Sequence, residues 1–325
     1  MHAIRQYEFG PAENLRYEEV PDPVPGEGQV LIDVEAAGVH LIDTTIRSGS
    51  PGPFPPPRLP MTPGREVAGR VARTGPGVDP VWQGRRVVAH LGMTSGGYAS
   101  RAVANVASLH EIPAALTAPA AVAMIGTGRT AVGVLRQAQL RDGDAVLVTG
   151  AAGGLGTLLV QAAQRAGTLV VGVAGGPDKV ALVQRNGADI AADYREPGWA
   201  EKVRAELGER ELTLVLDGVG GTEGRAALEL LAPLGRFLIF GGSAGTPTQI
   251  TTQDLYARGI VASSAIGPAM MKTPGGLRPL EEQALRDAAE GWFTPALTTF
   301  PLAEAAHAHT ALQNRATVGK VVLLP

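Results

Sequence analysis

The stretch VLVTGAAGGLG, Val146–Gly156, restricts the fold of this chain more than any other. An apolar β-branched run enters a glycine-rich turn, and a helical pattern follows it. A turn of this kind holds a pyrophosphate, because backbone N–H groups and the positive end of the helix dipole face the phosphates. The dinucleotide fingerprint Gly-x-Gly-x-x-Gly falls on Ala151, Gly153 and Gly156, with alanine at the first position and Gly150 before it. Gly153 lets the backbone approach the pyrophosphate, and Gly156 lets the helix pack close to its strand. A tight strand–helix turn in an ordinary α/β core would use the same glycines. A second strand at the right distance favours the dinucleotide.

NAD-binding folds place an acid on the ribose 2′-OH about 20 residues on. Here that strand ends Val173-Ala174-Gly175-Gly176, with no acid. A carboxylate there would repel a 2′-phosphate, so its absence removes a veto on NADP. Lys179 follows, either as a partner of that phosphate or as a solvated helix lysine. Asp178 lies past the strand end, where an acid is an ordinary helix-dipole partner.

The glycine loop sits inside a longer alternation. Strands are expected at Ala145–Thr149, Leu169–Val173, Asp189–Ala192, Leu212–Asp217, Arg236–Phe240 and Ile260–Ser264. Helices are expected at Gly154–Ala166, Pro177–Asn186, Trp199–Leu207 and Thr222–Leu231. Such alternation marks a doubly wound parallel sheet of the α/β class. The region before it is β-rich, with short runs at Gly28–Val39, Glu66–Gly75 and Arg85–Leu91. After about Pro268 the pattern holds two helical segments and a closing strand, GKVVLLP. The simplest organisation is a β-rich domain over 1–120 and 267–325 with an α/β domain over 121–266 inserted into it. The active site is then expected in the cleft between the two. The proline-rich run Gly49–Gly64 is a plain surface loop or a wall over the substrate.

Composition excludes several classes. The chain has 325 residues, a formal net charge of −3 and no cysteine. Thiolate nucleophiles, disulfides and cysteine-based zinc sites are therefore out. Nothing in the charge balance suggests nucleic acid as a partner. The N-terminus MHAIRQYEFGPAENL lacks the apolar segment of a secretory signal, and no apolar run is expected to reach the ~20 residues of a membrane span. A cytoplasmic location is the default. The six histidines form no metal-binding pair, so no metal is expected. His307 and His309, two apart on one helix, point to different faces and read as surface or packing residues.

Five segments in order, EAAGVHLIDTTIRSG, MTPGREVAG, GGYASRAV, VTGAAGGLGTLLVQAAQRAG and LQNRATVGKVVLLP, span nearly the whole chain. Together they resemble the quinone oxidoreductase (zeta-crystallin-like) branch of the medium-chain dehydrogenase/reductase superfamily. The resemblance implies a GroES-like catalytic domain, an inserted Rossmann domain, NADPH as hydride donor and a homodimer built on the edge strand Gly259–Ile266. It implies zinc-free chemistry too, because zinc-dependent relatives carry cysteine where His40 stands and histidine where Arg65 stands. It places the pyrophosphate on Ala152, Gly153, Gly154 and Leu155, and the 2′-phosphate on Gly175, Lys179, Tyr194 and Arg315. Thr130 matches a threonine beside the nicotinamide, while Phe240, Gly241 and Ser264 stand where backbone groups hold the carboxamide.

Departures from the family pattern concern the acceptor side. His40 replaces the usual asparagine, Thr45 replaces a tyrosine, Phe54 replaces another, and Asp43 is kept. His40, with Asp43, either donates a proton to the reduced acceptor or only contacts the nicotinamide ribose or Asp43. The leading function is hydride transfer from NADPH to a small-molecule quinone. Reduction of an activated C=C bond, in an enone, an alkenal or a 2-enoyl thioester, is the alternative. For a thioester, Arg47, Arg58 and Arg65 would supply a basic entrance. A non-catalytic NADPH-binding role is the lesser third.

Overall fold

The structure, a computed structural model, describes residues 1–50, 56–92 and 94–325. Phe54, expected at the acceptor pocket, lies outside the described residues. Two compact units emerge. The first comprises Met1–Thr127, Leu285–Ala289 and Pro295–Pro325, and the second Gly128–Ala284 and Glu290–Thr294.

In the first unit, strands β1 (His2–Gln6) and β2 (Leu15–Glu19) pair antiparallel. A larger sheet follows from β3 (Gln29–Val39), β4 (Glu66–Thr74), β5 (Arg86–His90), β6 (Arg101–Asn105) and β7 (Leu109–Glu111). The second unit holds β8 (Ala145–Thr149), β9 (Leu169–Ala174), β10 (Ile190–Asp193), β11 (Leu212–Asp217), β12 (Leu231–Ile239) and β13 (Val261–Ser264). The chain returns to the first unit with β14 (Leu297–Pro301) and β15 (Lys320–Leu324).

The first-unit sheet runs β14-β15-β3-β4-β5-β7, with β6 also on β3. Its apolar core joins Ile32, Val67, Val87, Tyr98, Leu109 and Leu323. Strand β3 crosses its centre, so β4 and β15 flank it on opposite sides. The second-unit sheet is wholly parallel in the order β10-β9-β8-β11-β12-β13. Register aligns the carboxyl ends: Thr149 opposes Val173, Asp193 opposes Ala174, Asp217 opposes Ile239, and Ile239 opposes Ser264. Every residue of β8 is buried, as a central parallel strand covered on both faces requires.

Most expected elements recur within a residue or two, and three differences have physical causes. Strand β12 begins at Leu231 rather than Arg236, because the pairing with β11 shifts register across Pro233 and Gly235. The segment after Pro268 closes on the expected strand, β15, but holds three α-helices rather than two, Pro268–Met271, Arg278–Ala289 and Ala305–Gln313, and the additional strand β14. Strand β14 has no clean apolar alternation, so only its pairing with β15 reveals it. An apolar helical stretch of 21 residues, Ala118–Ala138, does reach membrane-spanning length, against expectation. Its mean hydropathy is 1.3, and 72% of its apolar window is buried inside the protein, as in the core helix of a globular fold.

Gly38, inside β3, illustrates how one residue shapes the first unit. A strand glycine often marks a close approach from a neighbour. A Cβ at Gly38 would strike the carboxylate of Glu66 and lie 3.1 Å from Lys320 Cε. Gly38→Ala is expected to cost ~1–3 kcal/mol through overpacking. Thermal unfolding would register this as a Tm lowered by several degrees. An unchanged Tm would mean the strand relaxes around the methyl group.

Candidate active site

Glu66 opens β4 and Lys320 opens β15, and both reach across β3 over the bare backbone of Gly38. Neighbouring strands lie roughly 5 Å apart, so only a side-chain-free position lets the two groups meet above the strand between them. They form a buried ion pair, with Lys320 Nζ donating to Glu66 Oε2 at 2.8 Å. His40, immediately after β3, completes the cluster. Its Nε2 lies 2.7 Å from Lys320 Nζ and 2.6 Å from Glu66 Oε1. That second approach is not aligned as a hydrogen bond, and Oε1 has no aligned donor among the described residues. A side chain at Gly126 would collide with the same carboxylate, so a second glycine closes over it. Side-chain exposure is 28% for His40, 4% for Lys320 and nil for Glu66. Burial opposes the charged form of Glu66, but His40, when its ring is protonated, and the Lys320 ammonium outweigh it and hold the carboxyl well below its usual range.

A second buried network lies beside the first. Asp43 accepts the backbone N–H of His40 at 2.9 Å, which fixes the start of helix Leu41–Ser48. Tyr98 donates to Asp43 Oδ2 at 3.0 Å, so its oxygen accepts from His309 Nε2 at 3.1 Å. His309 therefore carries a proton on Nε2, and its Nδ1 has no partner among the described residues. Burial, followed by Asp43, pushes the Tyr98 phenol well above its ordinary value. Arg65 Nε lies 3.9 Å from Asp43 Oδ1. Arg47 is 3% exposed and donates to Gln313. It therefore offers no basic entrance for a thioester, and of the three expected arginines only Arg58 is exposed.

The second unit carries the glycine loop as expected. Gly150 is left-handed at φ 61°, and its carbonyl accepts from Gly153 N–H at 2.9 Å. A Cβ on Gly156 would stand 2.7 Å from Ala151 Cα, so the helix can start only with glycine there. No side chain caps helix Gly154–Arg165, which begins at the carboxyl end of β8 behind Ala152, Gly153, Gly154 and Leu155. These residues fit a pyrophosphate, since a helix start without a side-chain cap at a buried strand end suits an anion, although the N–H of Gly153 itself is spent on Gly150.

The next strand end also suits a phosphate. Tyr194 covers Gly175, where a Cβ would lie 3.1 Å from its hydroxyl. Lys179 stands in the first turn of helix Pro177–Arg185. The nearby carboxylate of Asp193 is held by Arg195 Nε and Nη2, each at 3.2 Å, so its charge is offset. Phe240 packs on Gly218, and the backbone N–H groups of Phe240 and Gly241 donate to Asp217 O. Ser264 ends β13, and Thr130 lies in the first turn of helix Arg129–Ala138. Arg315 belongs to the first unit, at φ 54° after helix Ala305–Gln313. Thr45 is half-buried and its carbonyl accepts from Ser48 Oγ at 2.9 Å.

Sequence reasoning missed Glu66, Lys320 and Asp217. Asp217 is fully buried and ties the strand ends together. Its Oδ1 accepts from Thr149 Oγ1 at 2.7 Å and from Val219 and Gly220 N–H at 3.1 Å, and its Oδ2 from Thr248 Oγ1 at 2.6 Å. An acid closing an otherwise apolar strand was the available signal. Among the described residues no three His, Cys, Asp or Glu side chains gather as a metal would need.

The first unit's residues 26–114 match the family described as alcohol dehydrogenase GroES-like domain, and residues 154–280 match zinc-binding dehydrogenase. Over its full length the chain is 33% identical to quinone oxidoreductase of Sus scrofa, covering 98% of that protein. The chain belongs to the quinone oxidoreductase branch of the medium-chain dehydrogenase/reductase superfamily. It is also 31% identical to a 2-haloacrylate reductase of a Burkholderia species, over the full chain and 99% of that protein. The structure of Escherichia coli quinone oxidoreductase complexed with NADPH superposes with a TM-score of 0.88 at 28% identity, over all of both chains. The fold is therefore a GroES-like domain with a Rossmann domain.

His309 makes the first unit sensitive to acid. Burial outweighs the pull of Asp43, and Arg47 adds to it, lowering the imidazole from the ordinary 6.5 to about 4. The unfolded chain therefore binds a proton below pH 6.5 that the folded chain refuses until pH 4. Stability is complete above the upper value and falls as the pH drops to the lower one, by ~3 kcal/mol in all. Denaturant unfolding at several pH values should show this loss in the native protein and a shallower slope in His309→Gln. Equal slopes would sink the assignment.

Proposed function

We propose that this chain is a zinc-free, NADPH-dependent reductase that delivers a hydride to a quinone. The observation that carries this reading is the full-length likeness to quinone oxidoreductases. A strand end without an unpaired carboxylate at Gly175 and Gly176 supports NADPH over NADH. When bound, NADPH supplies the hydride.

In this reading the uncapped turn at Gly153 and Gly154 holds the pyrophosphate, and Tyr194 and Lys179 hold the 2′-phosphate, to which the family likeness adds Arg315. Backbone groups at Phe240, Gly241 and Ser264 orient the carboxamide, with Thr130 on the nicotinamide. Positioning does most of the catalytic work. His40 protonates the oxyanion left on the acceptor, with Asp43 fixing its backbone and Thr45 on the pocket side. The β-rich segment is the catalytic domain and the parallel-sheet unit the cofactor domain.

Reduction of an activated C=C bond is the second reading. The 2-haloacrylate reductase likeness favours it, as does an imidazole backed by a buried acid and base. Turnover of a benzoquinone, a naphthoquinone, an alkenal and crotonyl-CoA, each with NADPH and with NADH, separates the readings. Quinone turnover with NADPH is expected to dominate, and preferred turnover of the alkenal would replace the first reading with the second. Tight NADPH binding with no acceptor reduced would leave only a binding role.

We also place the protein in the cytoplasm as a homodimer joined along β13. Val261 on that edge is 59% exposed, and Leu234 and Tyr256 beside it are 80% and 84% exposed. Light scattering should give twice the chain mass, and a monomer would end the dimer assignment.

A further inference from the structure

Reducing a quinone or a C=C bond takes a proton as well as a hydride. Behind His40 the fold stores both a proton and a means of holding it. Two nitrogens 2.7 Å apart, Lys320 Nζ and His40 Nε2, can share only one proton between them. An imidazolium facing an ammonium at that distance would place two N–H bonds head to head. The cluster therefore rests with Lys320 charged, donating to the lone pair of Nε2, and with the His40 proton on Nδ1. Glu66 balances the ammonium from 2.8 Å, and its second oxygen lies 2.6 Å from Nε2 without an aligned donor. Such an unmet acceptor inside a protein is costly unless it is used. His90 on β5 and Arg65 before β4 also face this carboxylate or its neighbours, and Asp43 holds the His40 backbone. Only His40 has appreciable exposure, so any proton leaving the cluster leaves through its ring.

We propose that Lys320 and Glu66 form a buried proton store that acts through His40. This inference rests on the reductase reading above. After hydride transfer, the N–H bond at His40 Nδ1 breaks and an O–H bond forms on the acceptor oxyanion. Simultaneously an N–H bond at Lys320 Nζ breaks and one forms at His40 Nε2. The electron pair arrives with the hydride, so the acceptor gains the hydride and one further proton, two electrons and two protons in all. Lys320 is left as a neutral amine beside the Glu66 carboxylate. A water proton taken up at Nδ1, with Nε2 returning its own, restores the ammonium. Lys320 and Glu66 are buried, act through His40 and are positioning residues. Gly38 and Gly126 leave the room that the carboxylate occupies.

The test compares Lys320→Met and Lys320→Arg with the native protein. Arginine keeps the charge beside Glu66 but does not surrender its proton. With NADPH and a naphthoquinone, both variants are expected to lose ~100-fold in kcat with KM little changed, the usual weight of one general acid. Native turnover in Lys320→Arg would overturn the store, because charge alone would then suffice. Histidine 15N spectra, with His40 assigned through His40→Gln, supply a readout that needs no turnover. The native protein should show His40 protonated at Nδ1, and Lys320→Met should move the proton to Nε2, facing Glu66. An unchanged tautomer in Lys320→Met would also overturn the proposal. Should the native protein reduce no acceptor, the reductase reading falls, while the tautomer result still decides whether Lys320 sets the proton on His40.

Discussion

A carboxylate with no access to water governs the first unit. Glu66 must be paired, since a lone buried charge would shed its ionisation or unfold its surroundings. Lys320 supplies the charge from the far side of β3, and Gly38 supplies the gap. One ion pair thus ties the strand that opens the large sheet's second half to the last strand of the chain. Because β15 is formed by the C-terminal residues, the sheet is complete only when the chain's end has returned to its beginning. His40 emerges from the end of the same central strand, so the proton store proposed above and the closure of the sheet share one cluster.

Asp217 plays the matching part in the second unit. A buried acid at the end of β11 gathers donors from β8, from the turn behind it and from the loop carrying Thr248. Each of those donors would otherwise be buried without an acceptor. The alignment of strand ends that receives a dinucleotide is therefore held by hydrogen bonds inside the sheet as well as by apolar packing. Both units place a fully buried carboxylate near a strand end, and both surround it with glycines and donors.

Much of this was readable in advance, and the reasons are local. Strands β8 and β11 and helix Trp199–Leu207 were delimited to the residue, because β-branched runs and apolar periodicity are set by neighbours in sequence. The glycine loop was legible because its spacing is a consequence of backbone approach. His309, read as a surface or packing residue, is fully buried, and its partner Tyr98 lies 211 positions away where no spacing rule could name it. Strand β14 went unread for a similar reason, since only parallel pairing with β15 makes it a strand. The stretch at Ala118–Ala138 reaches membrane-spanning length as an apolar run because the helix continues unbroken through its glycine-containing middle.

The amino-acid order by itself determined the α/β class, the doubly wound sheet, the phosphate-holding turn and the absence of thiol chemistry, since each depends on short-range pattern or composition. The tertiary structure decided which charges are buried and which groups meet. Glu66 and Lys320 are 254 residues apart, and their pairing exists only because antiparallel register sets β15 and β4 on either side of Gly38. Arg47 looked like a surface cation and proved to be buried, because the face of its short helix that carries it packs inward against Gln313. Local sequence fixes the conformation a segment prefers; the dielectric around each side chain, and hence what it can do with a proton, is set by the rest of the fold.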